Sequence, residues 1–577
     1  MFKSRFPYFS VNADDKNKNT RVYLDSAATT QKLDSVLLAM DNYHQEYNAS
    51  VHRGAYQSAQ LATKAYEQAR VKIQQLISAK KADEVIFTSG ATESINMIAN
   101  GLSINDLSGT TILVMASEHH ANLLPWQAFA KRHKLNMDVI ELSSDGIFSE
   151  RELSRLYEQL SDDIALIAIA HVSNALGNIY PLEDIIEKAA KHNIVSVVDG
   201  TQALAHISVD VQKLNCDFYV FSGHKMYGPC GIGVLYGKYE ALTALAPSKL
   251  GGEMVVDVDF SAVSFQMPPL KFEGGTPNIA GAIGLGEAAE FVKNNIEEIK
   301  RHEEKLHQYL IRQLSQFDSL IMVGNSAALP TKNNINNHDF SEHLSIGTLS
   351  FTVKNQQLND LALYLSQAGV AVRVGHHCAM PLMKRLKLQG TLRVSLACYS
   401  DLKDIDYLIE HISHFLRLDE SQARLHALTE TKSVDENKQH FLLASKVQQS
   451  RGWDNVYRQL LLASKSLRIL PQELRTSLTS VSGCETDLWL AMADDRFAAY
   501  SQSKVVRGIL ALLIERADHN ISCGIHDFDY LQYLEFLGLS HYFSEGRRDG
   551  IANAIKTIDV IMKTNANANA NAKTNED

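Results

Sequence analysis

Lys225 stands in the run Phe221-Ser222-Gly223-His224-Lys225-Met226-Tyr227-Gly228-Pro229, between an apolar, strand-like stretch and a Gly-Pro turn. An amine so placed, beside Ser222 and His224, can form a Schiff base with a carbonyl cofactor, as pyridoxal phosphate chemistry requires. Asp199 closes a second apolar run, Val197-Val198, and Gly200-Thr201-Gln202 follows it. A carboxylate at a strand end can pair with a pyridinium nitrogen and make the ring a better electron sink. Thr88-Ser89-Gly90-Ala91-Thr92-Glu93-Ser94 is a small-residue turn leading into a helix. Free N–H groups at a helix start bind a phosphate dianion, and the Thr92 hydroxyl adds a donor. Glu118-His119-His120 follows a further strand, where an imidazole could stack on a planar cofactor. Taken alone, these are a loop lysine, a strand-end acid, a capped helix start and a structural histidine. Their joint occurrence points to pyridoxal phosphate.

A second group lies downstream. In Arg373-Val374-Gly375-His376-His377-Cys378-Ala379-Met380-Pro381 a thiol follows a glycine and two histidines, which suits an exposed, partly ionised nucleophile. Adjacent His-His-Cys lacks metal-ligand spacing, so no metal site is assigned. Gly390-Thr391-Leu392-Arg393-Val394-Ser395 puts a guanidinium on a strand, suited to bidentate capture of a carboxylate. Cys216, Cys230 and Cys398 read as buried small hydrophobes. A third thiol, Cys484 in Ser482-Gly483-Cys484-Glu485-Thr486-Asp487, sits in a polar turn that suits accessibility, although Glu485 should raise its pKa. Cys523 reads as structural.

Elements must bring these residues together. Over 577 residues, 45% are hydrophobic and 21% charged, the balance of a folded protein. At that length three or more structural units are expected. The net charge of −10 argues against nucleic acid or an anionic membrane as partner. Six cysteines are too sparse for a disulfide scaffold. No apolar run reaches the ~18–20 residues of a membrane span, and residues 1–20 show no secretory apolar core. A cytoplasmic protein is expected. Branched strand-like runs (Ile112–Ala116, Ile164–Ala170, Ile194–Val198, Phe218–Phe221) alternate with helical patterns such as Leu182–Lys191, which predicts a mostly parallel sheet between helices. Gly281–Phe317 reads as a long helix into a smaller α+β lobe containing strands Thr348–Val353 and Leu392–Ser395. Asn325–His343 reads as a surface loop. The predicted organisation is an extension over 1–20, a cofactor-binding domain over 21–280, the small lobe over 281–418 and a polar, partly helical linker over 419–439. A mostly helical unit over 440–562, including Trp453–Lys465 and Lys504–Ala517, and a tail over 563–577 complete it. The Asn565–Ala572 repeat in that tail is expected to be disordered.

In order, the motifs TSGATESIN, SEHHANLLPW, HVSNALGN, VVDGTQA, FSGHKMYGP and EGGTPN resemble the fold-type I enzymes of aminotransferase class V. More closely they resemble the group II, Suf-type cysteine desulfurases, from about Tyr23 to Leu418. The resemblance implies an α/β fold with a large domain, a small lobe and pyridoxal 5'-phosphate on Lys225. It implies that Asp199 pairs the ring nitrogen, His119 stacks on the ring, and Asn174 and Gln202 contact ring substituents. Thr92, Ser222 and His224 would hold the phosphate, with Thr276 reaching it from the other protomer of a homodimer. Arg393 would hold the substrate carboxylate, and Arg373, Ala27 and His52 would line its pocket, with Asp25-Ser26-Ala27-Ala28 and Val51-His52-Arg53-Gly54 as the matching runs. Cys378 would become the persulfide.

Residues 440–562 resemble the α+β SufE-type sulfur acceptors. There Cys484 would accept sulfur and Arg547 matches the family's arginine loop, although Ser482 and Glu485 replace its flanking glutamines. The expected activity converts L-cysteine to L-alanine and passes sulfur through Cys378 and Cys484 to iron–sulfur scaffold proteins. Selenocysteine lyase chemistry, or a C-terminal unit that only docks, is the alternative.

Overall fold

The structure, a computed structural model, describes residues 2–10, 21–327, 345–354, 357–429, 442–450, 453–483, 486–494, 496–525, 527–539 and 545–573. They gather into two compact units, 1–354 with 369–409, and 355–368 with 410–577. Among the described residues no helix is long and apolar enough to cross a membrane.

In the first unit a two-residue strand, β1 (Val22–Tyr23), precedes a seven-stranded sheet. That sheet comprises β2 (Val85–Thr88), β3 (Thr111–Met115), β4 (Asn136–Ile140), β5 (Ile164–Ala170), β6 (Val195–Asp199), β7 (Phe218–Ser222) and β8 (Gly233–Gly237), ordered β2-β8-β7-β6-β5-β3-β4. The run from β4 to β7 is parallel, and β8 is antiparallel to both neighbours. The sheet is therefore mostly parallel, as the alternating pattern predicts. Successive side chains point to opposite faces. Leu113, Met115, Ile167, Ile169 and Val198 pack in one core with Tyr66, Ile73, Leu285 and Phe291; Ile112, Val114, Leu166, Ala168 and Val197 pack in another with Ile95, Ile98, Trp126 and Phe129. The first core draws on the helices Gln57–Leu76 and Ile279–Leu314, the second on Ala91–Gly101 and Leu124–His133. With both faces covered, the carboxyl edge of the sheet is where loops can gather side chains for chemistry.

A hairpin, β9 (Val255–Val258) with β10 (Val263–Phe265), follows. The small lobe is an antiparallel sheet made from β11 (Leu320–Val323) and β12 (Thr348–Val353). It also takes in, beyond β13 (Val370–Ala371), the strands β14 (Arg373–Gly375) and β15 (Thr391–Ser395), in the order β11-β12-β15-β14. β13 pairs in parallel with β1, which lays the chain around Asp25 against β15. The N-terminal segment is part of the core: Phe6 is fully buried and its ring meets Tyr227 and Tyr399 edge-on.

The second unit holds the helices Leu358–Gln367, Leu442–Gln449, Trp453–Ser466, Lys504–Ser522, Tyr530–Phe536 and Glu545–Lys573, and the hairpin β16 (Leu488–Ala493) with β17 (Arg496–Ser501). The helix Leu402–Thr429 begins in the first unit and continues into the second. Buried Asp360 accepts from Ser503 Oγ at 2.6 Å and from Lys504 N at 2.9 Å, at the start of the helix Lys504–Ser522. A carboxylate there favours the positive end of the helix dipole.

Four expectations need correction. Asn325 and Ser326 open the stretch read as a surface loop but are buried, Asn325 Oδ1 accepting from Phe148 N at 2.9 Å; residues 328–344 lie outside the described residues. Cys230 is exposed because it sits in the turn after Pro229. Cys523 is also exposed, at the carboxyl end of the helix Lys504–Ser522, with His519 Nε2 3.5 Å from its sulfur. The helix Glu545–Lys573 runs through the Asn–Ala repeat. Extending a formed helix needs no new nucleus, and alanine is the best helix former.

Candidate active site

The carboxyl ends of β3, β5, β6 and β7 deliver His119, Asn174, Asp199 and Lys225 to one edge of the sheet. The small lobe adds Arg373 and Cys378 from β14 and the loop after it, and Arg393 from β15. Together they surround a cavity of about 460 Å³ that Ala27, Thr92, Gln202, Ser222 and His224 also line. Twelve predicted site residues meet there. His52 and Thr276 do not. They share a small second recess with Glu253 and Glu273, because His52 N donates to Thr63 Oγ1 at 2.8 Å and its ring Nε2 lies 3.0 Å from Glu67 Oε1. Cys484 lies outside the described residues, as does the side chain of Arg547.

Burial, reinforced by the charge of Arg393, pushes the Lys225 amine down to about 8. Burial and the neighbouring Lys225 push His119 down to about 4. Its Nδ1 accepts from Ala121 N at 3.0 Å, so the neutral ring carries its proton on Nε2. Glu118, just before it, is fully enclosed and raised to about 8 by burial, although Asn122 Nδ2 and Ala170 N both donate to it at 2.7 Å. Asp199 Oδ1 accepts from Thr201 N at 3.0 Å, which orients the carboxylate at the end of β6.

At the other end of the cavity, Ser222 Oγ accepts from Ala91 N at 2.9 Å, at the first turn of the helix Ala91–Gly101. Thr92 is exposed beside it, and His224, lowered to about 4 by burial, brings a neutral imidazole. A helix start with two hydroxyls and an imidazole is a donor set for a phosphate. A carboxylate, an amine, a stacking ring and such a cradle in one cavity fit pyridoxal phosphate.

Cys378 is exposed at the cavity wall. It and His377 are consecutive non-glycine residues with positive φ, 55° and 51°. L-residues adopt that conformation only where neighbours hold them, and here they do. Asn174 Nδ2 donates to His377 O at 2.7 Å, His120 N to Cys378 O at 2.8 Å, and Cys378 N to His376 Nδ1 at 3.0 Å. The His377 ring lies 2.9 Å from Thr391 Oγ1. Sequence reasoning credited none of these anchoring roles to His376, His377 or His120; the His-His pairs on either side of the cavity were the available signal. Buried Arg393 donates through Nη1 to Asn174 O at 2.8 Å, and Gln202 Nε2 donates to Ala27 O at 2.8 Å.

The chain matches the aminotransferase class-V family over residues 22–408 and the Fe-S metabolism associated domain over residues 442–562. It is 41% identical over 402 residues to a probable cysteine desulfurase of Halalkalibacterium halodurans, covering 69% of this chain and 94% of that one. It is 38% identical over 422 residues to a cysteine desulfurase of Yersinia pestis, covering 72% and 99%. Among solved structures, the Escherichia coli cysteine desulfurase CsdA superposes with a TM-score of 0.63 at 34% identity, over 72% of this chain and 98% of that one.

Proposed function

The chain belongs to the aminotransferase class-V family, with an Fe-S metabolism associated domain of the SufE type behind the enzyme, and from that membership we propose that it is a pyridoxal phosphate-dependent cysteine desulfurase with a built-in sulfur acceptor. The observation that carries this reading is the single cavity lined by Lys225, Asp199, His119 and Arg393 with the Cys378 thiol at its wall. Lys225 would hold the cofactor covalently, Asp199 its ring nitrogen, His119 its face, and Asn174 and Gln202 its ring substituents. Thr92, Ser222 and His224 would hold the phosphate. The place of His52 and Thr276, outside this cavity, supports a homodimer in which they serve a second copy's site.

Bound pyridoxal phosphate supplies an electron sink for a bond broken at the substrate Cα. The protein does the rest. Arg393, with Arg373 beside it, takes the α-carboxylate of L-cysteine. The Lys225 amine, held near 8, removes and returns the Cα proton. The Cys378 thiolate attacks the substrate sulfur, so that a C–S bond breaks, an S–S bond forms and protonation of the carbon fragment gives L-alanine. Transfer of the outer sulfur to Cys484 regenerates the Cys378 thiol. A flexible tether of roughly 20 residues that lets the two thiols meet would hold them at an effective concentration around millimolar, and iron–sulfur scaffold proteins are the acceptors beyond, in the reducing cytoplasm.

The test is alanine formation from L-cysteine with a mild reductant and no added acceptor. Cys378→Ser and Lys225→Ala are expected to be inactive and Cys484→Ser several-fold slow. Full activity of Cys378→Ser would overturn the desulfurase reading. A Cys484→Ser variant as fast as the parent would reduce the second unit to a docking module.

A further inference from the structure

Arg373 and Arg393 stand opposite each other in the β14–β15 register. Two guanidinium groups so close repel unless a counter-charge lies between them. One carboxylate serves both. Asp25 Oδ2 accepts from Arg373 Nη2 at 2.8 Å, Arg373 Nε lies 3.2 Å from each Asp25 oxygen, and Arg393 Nη2 donates to Oδ1 at 3.2 Å. The two arginines differ in setting. Arg393 is 2% exposed, with Nη1 committed to Asn174 O and Nε buried without a partner, whereas Arg373 is half-exposed in the cavity wall. His377, which feels both arginines, is held neutral by burial. Lys225 and the Cys378 thiol also act on both arginines, and they are common to the parent and to every variant compared below. Within the Arg373–Asp25–Arg393 cluster itself, two positive charges meet one negative.

One positive charge remains for the substrate. An amino acid held through its α-carboxylate cancels it. A substrate with a second carboxylate on its side chain would bring a further negative charge against Asp25, because the cation that could receive it is already paired. We propose that Asp25 is a specificity-determining residue that neutralises Arg373 and so tunes this pocket to amino acids with one carboxylate and an uncharged side chain. Asp25 is carried on the chain segment after β1, so the β1–β13 pairing is what delivers this charge to the small lobe.

This inference rests on the reading of Arg393 as the carboxylate holder. Its test is inhibition of L-cysteine turnover by succinate and by butyrate, using the full-length, cofactor-loaded protein. The two acids share four carbons and differ by one carboxylate. In the parent, succinate should inhibit no more tightly than butyrate. In Asp25→Asn, which keeps the side-chain shape and loses the charge, the preference for succinate should rise about ten-fold, the scale of one charge-assisted pair. In Asp25→Asn combined with Arg373→Gln the surplus charge returns to one and the preference should fall back to the parent's.

A parent that already prefers succinate, an unchanged ratio in cofactor-loaded Asp25→Asn, or a gain that Arg373→Gln fails to cancel each overturns the proposal. Should Asp25→Asn fail to fold, Asp25→Ser, which also removes the charge, decides: its preference for succinate over butyrate should rise about ten-fold, and an unchanged ratio overturns the proposal. Absence of any L-alanine production by the parent would instead refute the desulfurase reading itself.

Discussion

Lys225 and Cys378 need opposite settings, and the cavity provides both. Lys225 is enclosed, and burial lowers its amine to about 8, where a useful fraction is neutral near physiological pH. The neutral amine is the base, so the Cα proton-transfer step should accelerate as pH rises and level off above about 8. Single-turnover rates with Cα-deuterated L-cysteine across that range would check it. Cys378 is instead exposed, on two left-handed residues that the surrounding hydrogen bonds hold in place. Thr391 supplies one of those contacts through its hydroxyl. Thr391→Val should slow persulfide formation several-fold and lower stability by about 1 kcal/mol, while leaving the cofactor's visible absorbance unchanged. Persulfide trapping, thermal unfolding and the absorbance spectrum separate the three.

At the scale of elements, the phosphate cradle depends on how closely β8 approaches the turn before the helix Ala91–Gly101. A Cβ on Gly233 would lie 2.5 Å from Gly90 Cα and 2.6 Å from Phe221 O, both backbone atoms that cannot swing aside. Gly233→Ala should therefore weaken cofactor binding at least ten-fold and cost about 1–3 kcal/mol, the usual effect of overpacking. Titration of the apoprotein with pyridoxal phosphate and a melting curve would show both. The elements themselves were largely legible in the sequence. Ile164–Ala170 is an unbroken branched run because both faces of β5 are covered, and the long helix was displaced by only two residues at its start, Ile279 against the expected Gly281. What periodicity cannot show is partnership between distant elements. Nothing in Leu358–Gln367 distinguishes a small-lobe helix from one belonging to the second unit, and nothing local to His52 shows that Thr63 and Glu67 hold it away from the cavity. Asp25 stands in a run whose resemblance implies a pocket-lining segment, of which Ala27 and Ala28 line the cavity; the hold of Asp25 on two arginines depends on the β1–β13 pairing, which joins residues far apart in the chain.

For the whole molecule, the two units are interleaved along the chain. Residues 355–368 fall between β12 and β13 yet belong with residues 410–577. Tyr457 OH donates to Asp360 O at 3.2 Å, and the Tyr364 and Tyr457 rings meet edge-on at 5.3 Å. Ending the chain at residue 429 would strip the buried Asp360 carboxylate of Ser503 and Lys504 and take Tyr457 away from the Tyr364 ring. Such a truncation should lose about 3 kcal/mol or more of stability, read as a lower melting temperature and a smaller soluble yield. Residual L-cysteine turnover in the fraction that stays soluble would show how far the first unit functions without the second.

That interleaving also has a consequence for synthesis. The ribosome completes the helix Leu358–Gln367 well before it reaches Ser503 and Lys504, the groups that receive Asp360. At translation rates of roughly 5–20 residues per second the interval is on the order of ten seconds. For that time a nascent segment with an apolar face and a carboxylate destined for burial waits beside strands that are already able to pair. The order of manufacture thus differs from the order of assembly, and nascent-chain chaperones should engage this protein most strongly during that interval.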